Sequence, residues 1–370
     1  VAGLGPASER PRGARLVERD LGRVVLTPGF VNAHTHLELS HLAGAVSGAD
    51  GFVPWIEEQL RVRAGRPPGD VEPALRQAIR ELSDAGTVAL ADVSNSLAAV
   101  DALVDSTLHA LVLHEVLGFD PSRAEAVAAQ MRETRESVRA RIAQRGGDAA
   151  ERVTVAVAAH APHSLSRELF ALLLAEGIRS IHLAESKAED VFLATGEGEW
   201  RGFLDRRVGP IPFAAAGARP VRYVDSLSGL TPGLLAVHCV RVDEEDAKLL
   251  AARGCVAVLC PRSNEFLGNG VPPLALLLGN GVSVALGTDS LASCPSLNVI
   301  DDARRLARLF PRVPAARLLE AATRGGARAL GFADLGEIRP GACAGFASFA
   351  CEGASPRDPI AFVLQENVAP

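Results

Sequence analysis

Asn32-Ala33-His34-Thr35-His36 sets two imidazoles two positions apart. On an extended segment that spacing points both rings to one side. Neutral imidazole suits a borderline divalent ion, and a carboxylate can complete a set of three histidines. The candidates elsewhere are His182, in His182-Leu183-Ala184-Glu185, and Asp289, in Gly287-Thr288-Asp289-Ser290. Such a set leaves a position for water, which a divalent ion acidifies toward neutral pH so that it can attack an electrophilic carbon. Glu185, three residues past His182, is placed to carry a proton to a leaving group. Asp289 can touch the metal and also take the water's proton. His238 can hydrogen-bond the attacking water.

Each residue alone has a plainer reading. A His-x-His pair is a weak signal by itself. Asp289 suits a helix N-cap, and Glu185 suits a first helical turn. His238 could be a buried core histidine. Their common phase decides between the readings. Each lies at or just past the end of an apolar run, as do His160 and His163 in His160-Ala161-Pro162-His163. Groups far apart in sequence then converge at one mouth, which is where barrel enzymes keep catalytic residues.

The elements that must position them follow from the same runs. Apolar, β-branched segments fall at residues 23–32, 87–93, 107–116, 153–159, 178–183, 234–237, 256–260 and 282–287. Helical patterns lie between them at 71–84, 124–144, 167–176, 244–253, 273–278 and 297–309. Alternation of this kind implies parallel strands joined by right-handed crossovers, and eight strands close a (β/α)₈ barrel. Residues 196–226 read as a long loop with one helical turn, a class of segment that is often functional. After Gly331 a Gly/Pro-rich stretch and the short run 346–350 read as a small β appendage.

The chain has 370 residues, 48% of them hydrophobic, and a net charge of −6. A barrel of roughly 250 residues with appendages fits that length. The acidic balance argues against a nucleic-acid partner, which favours a basic patch, and leaves a small organic substrate as the default. None of the six cysteines forms a C-x-x-C pair, so buried free thiols are expected. No apolar stretch has the length of a membrane helix and no signal-peptide pattern opens the chain, so the expectation is a cytoplasmic protein without a membrane partner. A homodimer is the default assembly. Val1 reads as a start inside a longer native segment.

At these residues the sequence resembles the amidohydrolase superfamily. The carrying motifs are Pro28-Gly29-Phe30-Val31-Asn32-Ala33-His34-Thr35-His36, His182-Leu183-Ala184-Glu185, His238 and Gly287-Thr288-Asp289-Ser290. The resemblance implies a barrel over residues 26–330 and a small β-sandwich built from 1–25 and 331–370. It also implies the branch with one metal, since no lysine ends the fourth run to bridge two. Zn²⁺ is the first choice, with Fe²⁺ or Mn²⁺ as substitutes. That branch deaminates nucleosides and nucleobases, and the sequence looks most like the aminodeoxyfutalosine deaminases of menaquinone biosynthesis. Their substrate is an adenine nucleoside carrying a carboxyphenyl group. By that likeness Trp55 stacks near the substrate and His160 contacts it. Arg262, in Cys260-Pro261-Arg262-Ser263-Asn264, would pair with the substrate carboxylate, and Glu38 would hydrogen-bond the ribose or a base edge. The rival readings are deamination of adenosine, S-adenosylhomocysteine, guanine or cytosine, dechlorination of a triazine, and a non-catalytic scaffold.

Overall fold

Gly29 splits the first apolar run into two strands that serve different sheets. A Cβ at this position would meet Val88 Cγ1 at 2.2 Å, so only glycine lets the backbone pass there. The fold is that of a computed structural model, which describes residues 1, 4–5, 19–48, 50–343, 345–351, 355–365 and 368. Its strands are β1 (Val24–Pro28), β2 (Phe30–Thr35), β3 (Thr87–Ser94), β4 (His109–Val116), β5 (Val153–Ala159), β6 (Ile178–Leu183), β7 (Leu235–His238), β8 (Val256–Leu259), β9 (Ser283–Leu286) and β10 (Phe346–Ala350).

Strands β2 to β9 form one eight-stranded sheet in sequence order, each parallel to the next. Helices connect them, as the alternating pattern predicts. The sheet curls into a (β/α)₈ barrel whose interior is filled by small and branched residues such as Ala33, Ala91, Leu113, Val237, Val258 and Ala285. The outer helices bury one face each. Helix Val71–Asp84 buries Leu75, Ala78, Ile79 and Leu82, a spacing of three and four that lines one helical face.

The barrel closes between its first and last strands at their C-terminal ends. The backbone N–H groups of Thr288 and Asp289 both donate to the His34 carbonyl, at 3.1 and 3.0 Å. Thr35 and Asp289 form an isolated parallel bridge. Asn32 Nδ2 reinforces the seam by donating to Thr288 Oγ1 at 2.8 Å and to the Leu297 carbonyl at 3.1 Å.

β1 pairs antiparallel with β10, from Val24↔Ala350 to Pro28↔Phe346, so the two ends of the chain share a second sheet. The expected remainder of the sandwich falls partly on residues 2–3, 6–18, 344, 352–354, 366–367 and 369–370, which lie outside the described residues. The segment 196–226 departs from expectation. It holds helices Glu199–Val208 and Pro220–Ser226, hidden in the sequence by the flanking Gly196, Gly198, Pro210 and Pro212. All six cysteines are free, and Cys239, Cys255, Cys260 and Cys294 are buried. Among the described residues no helix is long and apolar enough to cross a membrane.

Gly287 sits on the closing seam, where an added Cβ would lie 2.6 Å from His34 Cβ and 3.0 Å from the His34 backbone. Gly287→Ala therefore wedges β9 from β2 and should lower unfolding stability by about 1–3 kcal/mol, as overpacking does. Urea denaturation checks this, and an unchanged midpoint would show that the seam tolerates the methyl group.

Candidate active site

The strand ends of the barrel form the floor of a cavity of about 400 Å³. His36 and Asp289, just past β2 and β9, line it together with His182 of β6, Glu185 beyond it and His238 of β7. His34 lies behind them, fully buried. His36 Nε2 and His182 Nε2 stand 3.3 Å apart, and Asp289 Oδ1 lies 3.6 Å from His36 Nε2 and 3.8 Å from His34 Nε2. The three imidazoles thus offer nitrogen atoms within 4.8 Å of one another.

The donor set fits a divalent ion. Among the described residues both ring nitrogens of buried His34 lack a hydrogen-bond partner, a state that costs free energy unless something else satisfies them. His182 Nδ1 faces the His160 carbonyl at 2.8 Å, so it carries the ring proton and leaves Nε2 as a lone-pair donor. Asp289 is oriented from behind, because Ser263 Oγ and Ser293 Oγ donate to its Oδ2 at 2.6 and 3.1 Å. Its Oδ1 is left toward the histidines.

Burial lowers the pKa of His34 and takes that of His182 well below the ordinary imidazole range, where neighbouring histidines depress it further. Burial also brings His238 down to about 3. These rings are neutral at pH 7, the form that binds metal or accepts a hydrogen bond. Burial opposes ionisation of Asp289, but the surrounding imidazoles of His34, His36 and His238 outweigh it and hold its carboxyl well below the usual range. Glu185 goes the other way. Burial first, then the charges of Asp289 and Glu189, push it well above the carboxylate range. One carboxylate and one carboxylic acid therefore face each other across the floor, an arrangement suited to passing protons.

Local backbone geometry supports this arrangement. Ala184, His238, Cys239 and Asp289 all adopt positive φ, at 54°, 75°, 48° and 65°. Such conformations are rare for residues with a side chain and cluster at functional sites. Glu189 holds the turn at Ala184 by accepting from the N–H groups of Ala184 and Glu185 at 3.2 and 2.7 Å. Glu185 Oε1 receives Asn269 Nδ2 at 3.3 Å and lies 3.7 Å from His238 Nε2.

Trp55 and His160 both line the cavity. Trp55 Nε1 points to the Ala292 carbonyl at 3.4 Å, and His160 Nδ1 meets Ser164 Oγ at 2.6 Å. Glu38 also lines it, but its carboxylate is already engaged by Ser94, Ser96 and the Asn95 N–H, with Arg63 at 3.5 Å. Arg262 is corrected. Its guanidinium donates to Asp302 Oδ2 at 2.8 and 3.0 Å, to the Ser296 carbonyl at 3.0 Å and to the Asn298 carbonyl at 3.1 Å, and it does not line the cavity. The segment after β8 is helix Pro261–Phe266. Consecutive helical residues point about 100° apart, so Ser263 faces Asp289 while Arg262 faces Asp302.

Sequence reasoning missed Glu115 and the two helices that roof the cavity, Phe52–Gly65 and Glu199–Val208. Glu115 Oε1 lies 3.4 Å from His182 Nδ1. Glu115, His160 and His182 form a second set of grouped donors, but His182 Nδ1 is committed there to the His160 carbonyl. Glu115 ends β4 in the same phase as the histidines, a signal that was available. His163 is buried among Phe52, His160 and Trp200.

The family model described as the amidohydrolase family matches residues 25–369. A 5-methylthioadenosine/S-adenosylhomocysteine deaminase of Pelotomaculum thermopropionicum is 29% identical over 358 residues, covering 92% of this chain and 76% of that protein. An aminodeoxyfutalosine deaminase of Nitratiruptor sp. is 32% identical over 336 residues, covering 88% and 78%. Among solved structures, Helicobacter pylori aminofutalosine deaminase in complex with methylthio-coformycin shares the fold, with a TM-score of 0.78 at 24% identity over 94% of this chain and 84% of that one.

Replacing Arg262 tests its structural assignment. Arg262→Gln leaves the fully buried Asp302 without its ion-pair partner, a change that typically costs about 3–5 kcal/mol. Chemical denaturation should show that loss. A stable variant with altered substrate preference would return Arg262 to the substrate.

Proposed function

The chain belongs to the amidohydrolase family and is a metal-dependent hydrolase acting on C–N bonds, and from that premise we propose that it deaminates an adenine nucleoside, aminodeoxyfutalosine being the best candidate. One observation carries the reading. Three separate strand ends bring His34, His36, His182 and Asp289 together beside a buried Glu185 and a neutral His238. The 32% identical aminodeoxyfutalosine deaminase supports the finer substrate assignment. The 29% identical relative favours a second reading, deamination of 5-methylthioadenosine or S-adenosylhomocysteine.

His34, His36, His182 and Asp289 would hold one divalent ion, which supplies the Lewis acidity that makes water nucleophilic near neutral pH. Three nitrogens and one oxygen suit Zn²⁺, with Fe²⁺ and Mn²⁺ compatible. The protein's own groups manage the protons. Asp289 accepts a proton from the water as its oxygen bonds to C6 of the purine. Glu185, protonated in its buried setting, donates to the ring nitrogen beside C6. Now ionised, it takes the remaining proton from the added oxygen and relays it to the amino group, which leaves as ammonia when the C6–N bond breaks, and the proton held by Asp289 restores the acid. His238, uncharged, steadies the tetrahedral centre by a hydrogen bond to the added oxygen. Trp55 and His160 pack against the nucleoside. Glu38, fixed by its serine and backbone partners, meets the ribose side as an acceptor.

Glu185→Gln keeps the shape of the side chain and removes its proton chemistry. Turnover should fall by about 10²–10⁴-fold while metal content stays that of the parent. Ammonia release from aminodeoxyfutalosine, S-adenosylhomocysteine and adenosine gives the rates, and elemental analysis gives the metal. Near-parental turnover would remove Glu185 from the reaction.

A further inference from the structure

Two helices close the outer side of the cavity, and each turns one face to it. Helix Phe52–Gly65 lines it with Phe52, Trp55, Ile56, Gln59, Leu60 and Arg63. Helix Glu199–Val208 lines it with Trp200, Phe203, Leu204, Arg207 and Val208. Both sets recur at steps of three and four, the spacing of a single helical face. The helices are fastened to each other. The Phe52 and Trp200 rings lie 6.3 Å apart, and Arg206 donates to Glu57 at 2.6 Å. Trp200 Nε1 anchors its helix to the barrel through the His163 carbonyl at 2.7 Å.

Apart from Gln59 these faces are apolar until their last turn, where each carries an arginine. Neither helix lines the cavity with a carboxylate. The acids that do line it, Glu38, Glu115, Glu185 and Asp289, come from segments at the ends of barrel strands. Arg206 is used by Glu57, whereas Arg207 has no hydrogen-bond or ion-pair partner among the described residues. Among the described residues the Arg63 guanidinium has only Glu38, at 3.5 Å, longer than a well-formed hydrogen bond. That carboxylate is already held by Ser94, Ser96 and Asn95. A last-turn arginine can serve the helix dipole alone, but that role does not require the side chain to line the cavity, and here both do.

We propose that Arg63 and Arg207 form a subsite that reads an anion on the substrate. It rests on the deaminase reading above. An adenine placed with C6 at the strand ends sends its ribose 5′ side away from them, toward the two helices. The preferred substrate is then an adenine nucleoside whose 5′ substituent is an apolar or aromatic spacer ending in a carboxylate. The spacer lies along Ile56, Leu60, Phe203 and Leu204, and the carboxylate takes charge-assisted hydrogen bonds from the guanidinium groups. A neutral substrate of similar length covers the same arginines without pairing them, and sites built to pair a group discriminate against ligands that lack it.

Steady-state kinetics of the metal-loaded protein on aminodeoxyfutalosine and on uncharged 5′-methylthioadenosine tests this, with Arg63→Gln, Arg207→Gln and Arg207→Lys as variants. The parent should prefer the carboxylated nucleoside, and each glutamine variant should reduce that preference in kcat/KM by about 10-fold or more, chiefly through KM. Arg207→Lys should recover part of the loss. Should Arg63→Gln fail to fold, the exposed Arg207 still carries the comparison. Equal losses on both substrates, or a preference unchanged in both glutamine variants, would overturn the subsite. Turnover of the neutral nucleoside without preference for the carboxylated one would overturn the subsite alone. Absence of turnover on every adenine nucleoside would overturn the deaminase reading with it.

Discussion

The His34 carbonyl accepts two backbone hydrogen bonds, from Thr288 and Asp289, and the chemistry of the cavity depends on that clasp. It closes the barrel by joining the ends of β2 and β9, which are more than 250 residues apart in sequence. The same clasp sets Asp289 Oδ1 within 4 Å of the His34 and His36 imidazoles. Asp289 reaches this position with a φ of 65°, a conformation that costs of order 1–3 kcal/mol and persists only where neighbours over-determine it. The two backbone bonds and the hydroxyls of Ser263 and Ser293 are those neighbours. A flexible seam would let the carboxylate turn away from the histidines.

Burial then divides the ionisable groups by task. His34, His182 and His238 stay neutral, Asp289 stays charged, and Glu185 keeps its proton. None of these states requires an unusual residue. Each follows from removing water around a group whose neighbours have already been chosen by strand register. The roof adds apolar wall and two arginines, Arg63 beside Glu38 and Arg207 further along the second helix.

Much of this was legible in the sequence because strand periodicity is short and the floor residues follow the strands directly. His34, His36, His182, His238 and Asp289 each sit at or beyond the end of an apolar run, and a parallel barrel brings such ends together without further information. Arg262 was misread because adjacency to a strand end does not give direction once the chain turns into a helix. One residue further on, Ser263 meets the site while Arg262 is buried against Asp302. The roof helices were hidden for a different reason. Their inner faces line a cavity rather than a packed core, so they carry Gln59, Arg63 and Arg207 among their apolar residues and lack a clean stripe. Glycines and prolines around helix Glu199–Val208 obscured it further.

The account's central claim is one catalytic ion held by four ligands from three strand ends of a closed barrel. Titrating chelator-treated protein with Zn²⁺, while following both bound metal and ammonia release from an adenine nucleoside, tests it most directly. Activity should rise with metal and break sharply at one equivalent per chain, and His182→Ala should show neither tight binding nor activity. Full activity in the metal-free protein, or a break at two equivalents, would contradict it.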